Sequence, residues 1–140
     1  MSLLIDKVAE VLHDEWWSYQ ARNGRTLGPC RTKETHPHMV PWGACGLDNN
    51  NQDRYQACRV LHFVGHRPDL DLGAQETWME VARVVHEATS EVMKLQGRGD
   101  RPQCGPWDAA HAEGPGEHLD QARGVCRLLA SERFLPGAFA

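Results

Sequence analysis

The stretch Val8-Ala9-Glu10-Val11-Leu12-His13-Asp14 returns later in the chain as Val81-Ala82-Arg83-Val84-Val85-His86-Glu87. Three further landmarks recur in the same order. A glycine follows each copy at the same distance, Gly24 and Gly97. A Pro-Trp pair comes next, Pro41-Trp42 and Pro106-Trp107, and a Cys-Arg-apolar-Leu run closes each half, Cys58-Arg59-Val60-Leu61 and Cys126-Arg127-Leu128-Leu129. Four landmarks in one order argue for two related halves, residues 1–66 and 74–132, joined by 67–73 and followed by a tail, 133–140. Neither half is long enough to bury an adequate core alone, so one shared core is expected. Related halves pack about a pseudo-twofold axis, and the groove between them is a natural ligand site.

The periodicity is helical. Leu4, Val8, Val11, Leu12, Trp16 and Tyr19 form one apolar stripe, predicting a helix over 3–23 with Ser2 as N-cap and Gly24 as its stop. A second helix is predicted over 50–64, capped by Asp48 or Asn49, with Tyr55, Cys58, Leu61 and Val64 on one face. The cleanest pattern is Trp78, Val81, Val85, Ala88, Val92 and Leu95, a helix over 74–96 stopped by Gly97. A fourth helix is predicted over 115–132, with Leu119, Ala122, Val125, Cys126 and Leu129 inward. Trp16 and Trp78, on the stripes, are expected in the core. The intervening loops, 24–47 and 97–114, exceed ordinary connections and favour function. Short strands are expected at Thr26-Leu27 and Met39-Val40, and a loosely packed tail at 133–140. The fold class is mainly α: about four main helices in two pseudo-symmetric repeats, with long loops and minor β.

Composition narrows the function. The chain has 140 residues, a hydrophobic share of 41%, a charged share of 24% and a net charge of −4, with no basic run. A duplex-binding surface requires clustered Lys and Arg, so a nucleic-acid polymer is not the expected partner. No apolar stretch reaches membrane-span length, and no signal-peptide core opens the chain. Five cysteines form no Cys-x-x-Cys pair. Cys58 and Cys126 sit among apolar residues and are expected as buried thiols of a reduced, cytoplasmic protein.

The first half resembles the ryanodine receptor repeat (RyR) domain. That family carries a helix with His-acidic-x-Trp, a Gly-Trp-x-Tyr-Gly turn, a His-Pro-x-Leu-Val-Pro-aromatic segment and a polar helix start with Asn/Asp-Arg. The corresponding residues are His13-Asp14-Glu15-Trp16, Gly24-Arg25-Thr26-Leu27-Gly28, His36-Pro37-His38-Met39-Val40-Pro41-Trp42 and Asn51-Gln52-Asp53-Arg54-Tyr55. The second half looks like a diverged copy, with Thr89 in place of the helix tryptophan and no His-Pro pair. The resemblance, of a prokaryotic or phage type, implies paired repeats about a pseudo-twofold. It also implies a small non-catalytic module: the receptor's paired repeats accept an adenine nucleotide between aromatic side chains, and prokaryotic and phage relatives look like sensors or sequestering proteins of nucleotide-signalling conflict systems. The turn tryptophan and tyrosine of the family are replaced here by Arg25 and Leu27. Arg25 there has a guanidinium for stacking on a base or meeting a phosphate.

These readings converge on a binding protein for an anionic, nucleotide-derived molecule, a cyclic or ADP-ribose-type immune signal, that senses or sequesters it in phage or bacterial defence. The candidate rings are Trp16, Trp17, Trp42, Tyr55 and Trp107, since a tryptophan face stacks any base. Trp42 and Trp107 stand either as groove walls or as structural plugs. The candidate phosphate groups are Arg25, Arg31, Lys33 and Arg54, alternatively a solvated face paired with Asp14, Glu15 and Glu34. Arg54 draws its claim from the family's Asn/Asp-Arg position. His36 is expected to orient the ligand. His13 and His86, at equivalent places, are expected to donate a ring N–H to a loop carbonyl. His62 and His66 lack a third ligand at supporting spacing, so neither metal nor other cofactor is expected. Candidate nucleophiles are Ser18, Thr26 and the five cysteines, and candidate acids or bases His36, Glu15, Glu34 and Asp53, but no G-x-S-x-G, phosphate-binding loop, Rossmann fingerprint or H-E-x-x-H accompanies them, so an enzyme is not expected. A protein–protein interaction module using the same aromatic patch is the alternative, with a nucleotide-degrading enzyme behind it. A homodimer is compatible with the small size.

Overall fold

The computed structural model describes residues 3–100, 104–110 and 116–140. In chain order, helix α1 spans Leu4–Arg22, strands β1 and β2 span Thr26–Leu27 and Thr35–His36, and a 3-10 turn spans Trp42–Ala44. Helix α2 spans Leu47–Gly65, α3 Gln75–Leu95, the one-turn α4 Trp107–Ala110, and α5 Glu117–Ser131. The protein is mainly helical, with four long helices and a short two-stranded sheet among the described residues.

Helix α1 packs against α2 and α5, and α3 packs against the same two helices. The core is their shared centre: Val8, Ala9 and Leu12 from α1, Ala57, Val60 and Val64 from α2, Val81, Ala82 and Val85 from α3, and Ala122, Val125, Cys126 and Leu129 from α5, all fully buried. The stripes read from α1, α3 and α5 are therefore the inward faces over most of their length. The stripe of α3 ends before Leu95, which is 86% exposed.

Helix α2 turns differently from expectation. Its inward residues are Ala57, Val60 and Val64, while Tyr55 and Cys58 face out. Consecutive residues on a helix are about 100° apart, so burying Ala57 carries Cys58 away from the centre. Cys126 is buried as expected. Helix α2 also starts before the predicted caps: Gly46, at φ 91°, is its N-cap, and Asp48 lies in its first turn, where a carboxylate complements the helix dipole. Ser2 and Pro115, the expected starts of the first and last helices, lie outside the described residues.

Three helices end alike. After α1, Arg25 N–H reaches Gln20 O and Gly24 N–H reaches Ala21 O; after α3, Arg98 and Gly97 repeat this with Met93 and Lys94. The turn needs a left-handed residue after the cap, supplied by Gly24 at φ 84° and Gly97 at φ 74°. After α5, Phe134 and Arg133 make the same bonds to Leu129 and Ala130, but the left-handed residue is Arg133 at φ 57°.

Two expectations are overturned. The tail is not loose: Gly137 N–H donates to Val64 O at 2.9 Å and Phe139 N–H to Gly65 O at 2.7 Å, extending the satisfied carbonyls at the end of α2. A Cβ on Gly65 would lie 2.2 Å from the Phe139 ring, so the glycine makes room for it. The second strand is Thr35–His36, paired parallel with β1 in the register Thr26↔Thr35 and Leu27↔His36, rather than Met39-Val40. Met39 is instead 5% exposed, and the Val40 carbonyl is taken by His13. The tight parallel pair is held by side chains: Thr32 Oγ1 accepts from Glu34 N–H and Thr35 N–H, and Thr35 Oγ1 donates to Cys30 O.

Candidate functional site

A cavity of about 1130 Å³ opens at one end of the helical assembly and is lined by all four long helices and by the 25–38 loop. Its frame is built by two histidines. His13 on α1 donates its Nε2 proton to Val40 O at 2.7 Å, and His86 on α3 donates Nε2 to Gly105 O at 2.9 Å. Each carbonyl precedes a Pro-Trp pair, so each of the two histidines anchors the loop that follows its helix.

The loop supplies cations. Arg25 spends most of its donors locally, with Nε and Nη2 on Thr32 O at 3.0 and 2.8 Å and Nη1 on Gln20 Oε1 at 3.0 Å. It shapes the loop while lining the cavity. Arg31 and Lys33 also line it and, among the described residues, form no ion pair. Trp16 lines the same space, outside the core where it was expected, and meets the His36 ring edge-on at 4.7 Å. The tryptophan lies one turn beyond the last α1 core residue, past the depth at which the helices close.

His36 Nδ1 accepts from His38 N–H at 3.0 Å, so a neutral ring carries its proton on Nε2. Burial, then Arg25 and Arg31 beside it, lowers its pKa to about 4. Burial and Arg31 lower His38 as well. On the α5 side, His118 donates from Nδ1 to Gln121 Oε1 at 2.9 Å, and Gln121 Nε2 donates to Leu12 O at 2.9 Å. Burial brings His118 down to about 4, with His86 adding to the effect. Two lining histidines are thus neutral at physiological pH, offering hydrogen bonds rather than charge.

The wall from α2 is amide and carboxyl. Asn49, Gln52, Asp53 and Gln56 line the cavity at the spacing of one helix face. Asp53 Oδ2 accepts from Trp42 Nε1 at 3.0 Å and from Asn49 Nδ2 at 3.4 Å. Burial raises Asp53 to about 7, against the opposing Trp42 bond. The sequence marks Asn49 only as a possible helix cap, Gln52 only as a neighbour of Arg54 and Asp53 only as that or as a candidate acid or base; none of the four stands out there as a ligand-binding residue. A polar stripe facing a cavity has the same pattern as one facing water.

Five of the ten candidate residues, Trp16, Arg25, Arg31, Lys33 and His36, therefore line one cavity, and five lie outside it. Arg54 Nε pairs with Asp6 Oδ1 at 2.8 Å, its Nη1 donates to Asn51, and its guanidinium lies 5.0 Å from the Trp42 ring. It ties α2 to α1 and does not line the cavity. Trp42 packs against the core and reaches the cavity only through Asp53. Trp107 packs against the core beside His86. Trp17 flanks His13 at 6.1 Å. Tyr55 is exposed on the outer side of α2, its hydroxyl on Glu91.

A second groove of about 500 Å³ lies between α2 and α3, with Phe63, Met79 and Val84 beneath Arg59, Arg67 and Arg83. Each arginine is paired within the chain, to Glu91, to Asp69 and Glu80, and to Asp108 respectively. That makes it a salt-bridged surface, and the larger cavity the better place for an anion. His66 Nδ1 donates to His62 O at 2.8 Å, and among the described residues no three His, Cys, Asp or Glu side chains are grouped to hold a metal. Cys45 has its pKa raised by burial and by Asp53, which favours the thiol over the nucleophilic thiolate. No described helix is long and apolar enough to cross a membrane.

Comparison with family models and with curated proteins finds no match to this chain.

Proposed function

We propose that the protein is a non-catalytic receptor or sponge for an anionic, nucleotide-derived small molecule bound in the large cavity. The observation that carries this reading is the composition of the cavity lining. Arg31 and Lys33, without acidic partners among the described residues, share one space with the Trp16 ring, neutral histidines and a wall of primary amides. A phosphate calls for the first, a base or sugar for the others. The cavity volume, about 1130 Å³, suits a ligand at least as large as a dinucleotide-like diphosphate. The lining threonine hydroxyls favour binding over chemistry: Thr89 Oγ1 donates to Val85 O, and Thr32 Oγ1 accepts two loop amides. The RyR-like motifs point the same way, and a pseudo-twofold relating α1 to α3 and α2 to α5 would put the cavity on the seam. Five free thiols fit a reducing cytoplasm.

The test is isothermal calorimetry with ADP-ribose, cyclic ADP-ribose, CDP and cyclic dinucleotides, with mass spectrometry of molecules that co-purify. At least one nucleotide is expected to bind with micromolar or better affinity. The double variant Arg31→Ala/Lys33→Ala should weaken it at least about tenfold, while Arg59→Ala in the other groove leaves it unchanged. If no nucleotide binds, or Arg59→Ala is as damaging, the reading fails. Recovery of cleaved rather than intact ligand would replace it with an enzyme.

A further inference from the structure

The α2 wall carries more information than its polarity. Asp53 has one oxygen engaged: Oδ2 takes the Trp42 indole proton and the Asn49 amide. Among the described residues nothing donates to Oδ1, although Asp53 lines the cavity. Gln52 and Gln56 stand on either side of it along the same helix face, each with an amide able to donate and accept and, among the described residues, not hydrogen-bonded. The arrangement is rigid where it matters. Trp42 is fixed by packing on the core and by the Arg54 guanidinium over its face, and Arg54 is fixed by Asp6. A carboxyl oriented by an indole and flanked by amides is an acceptor at a defined position, and the cations that face a phosphate lie elsewhere, on the 25–38 loop.

We propose that Asp53 Oδ1 selects the ligand by accepting a hydrogen bond from its exocyclic amino group, so that the ligand is an amino-bearing nucleobase joined to a phosphate. This rests on the cavity being the nucleotide site proposed above. A keto group in the same place would set oxygen against oxygen and, with the ligand shutting out water, leave the half-buried carboxyl unmatched, which costs more than a lost contact. Carboxylates accept from base amino groups in nucleic-acid recognition for the same reason. Trp42 and Arg54 then have a role at the site without touching the ligand: they are positioning residues for Asp53.

The experiment compares ligands that differ in the amino group: ADP-ribose with its purine analogue carrying hydrogen at C6, and CDP with UDP. Calorimetry is run at pH 8, where Asp53 is ionised, on the full chain. The wild type is expected to favour the amino-bearing member of a binding pair by about tenfold. In Asp53→Asn the side-chain oxygen stays on Trp42 Nε1, so an NH₂ faces the cavity where an acceptor stood. The preference should vanish or reverse: the amino-bearing members weaken, UDP gains a donor to its keto oxygen, and the purine analogue with hydrogen at C6 changes less than about threefold. A thermal melt at the same pH reports whether the variant is folded. If the wild type binds both members of each pair alike, or Asp53→Asn keeps the preference, this inference is overturned while the nucleotide site stands. If the wild type binds no member of either pair or of the larger panel, both fall together.

Discussion

Asp53 and the cavity histidines tilt the stability of the protein in opposite directions with pH. The native Asp53 holds its proton up to about pH 7, whereas an unfolded aspartate loses it near 3.8. The native state therefore binds more protons between those values, and this group's contribution to stability is lost as pH rises through 7. His36 and His118 act the other way. Their native pKa values of about 4 lie below the unfolded 6.5, so stability drains as pH falls from 6.5 toward 4. Asp53→Asn keeps an acceptor for Trp42 and removes the buried charge. It is expected to stabilise the protein by on the order of 1–3 kcal/mol at pH 8 and by little at pH 4, read from urea denaturation at both pH values. A larger gain at pH 4 would contradict the assignment. The same residues show how sequence position misleads. Arg54 stands out for its place beside Asp53 in the sequence, yet it grips Asp6 and Trp42, because its Nε and ring-stacking face are used within the fold.

At the level of single elements, helix ends and the tail carry the testable content. Arg133 adopts the left-handed turn that Gly24 and Gly97 provide elsewhere, and a Cβ there costs about 1–2 kcal/mol. Arg133→Gly should raise stability by about 0.5–1 kcal/mol once the flexibility of glycine in the unfolded chain is subtracted, as a rise in the thermal midpoint. The tail gives the opposite sign. A methyl group on Gly65 meets the Phe139 ring, which is 54% exposed and free to leave. Gly65→Ala is expected to detach residues 137–140 while the helices stay folded. Faster amide exchange at Gly137 and Phe139, with helical circular dichroism unchanged, checks this. The legible part of these elements was the helix interior, where apolar spacing repeats every three or four residues. The tail was opaque because backbone bonds to Val64 and Gly65 leave no pattern in side-chain type.

The assembled molecule places the neutral His36 and His38 beside Arg25 and Arg31, all on one cavity. An anion bound among them favours the protonated rings and raises their pKa values. Affinity for the ADP-ribose analogue with hydrogen at C6, which offers Asp53 no amino group, should therefore strengthen as pH falls from 6.5 toward 4, with net proton uptake on binding. Calorimetry in buffers of different ionisation enthalpy measures that uptake, and proton release across this range would contradict the arrangement. Raising salt should weaken the same binding, because Arg31 and Lys33 are solvent-exposed.

The sequence by itself determined four long helices, the glycine turns that stop two of them and the paired histidines that hold the loops, because each depends on residues close together in the chain or on one helix face. Only the tertiary structure decided which polar residues look into the cavity. Asn49, Gln52, Asp53 and Gln56 share it with Arg31 and Trp16, while Tyr55, on the same helix, points away. The reason is physical: burial of apolar groups against one another marks the inner face of a helix in its sequence, but a polar group satisfied by water and one reserved for a ligand have the same composition until the neighbouring helices enclose it.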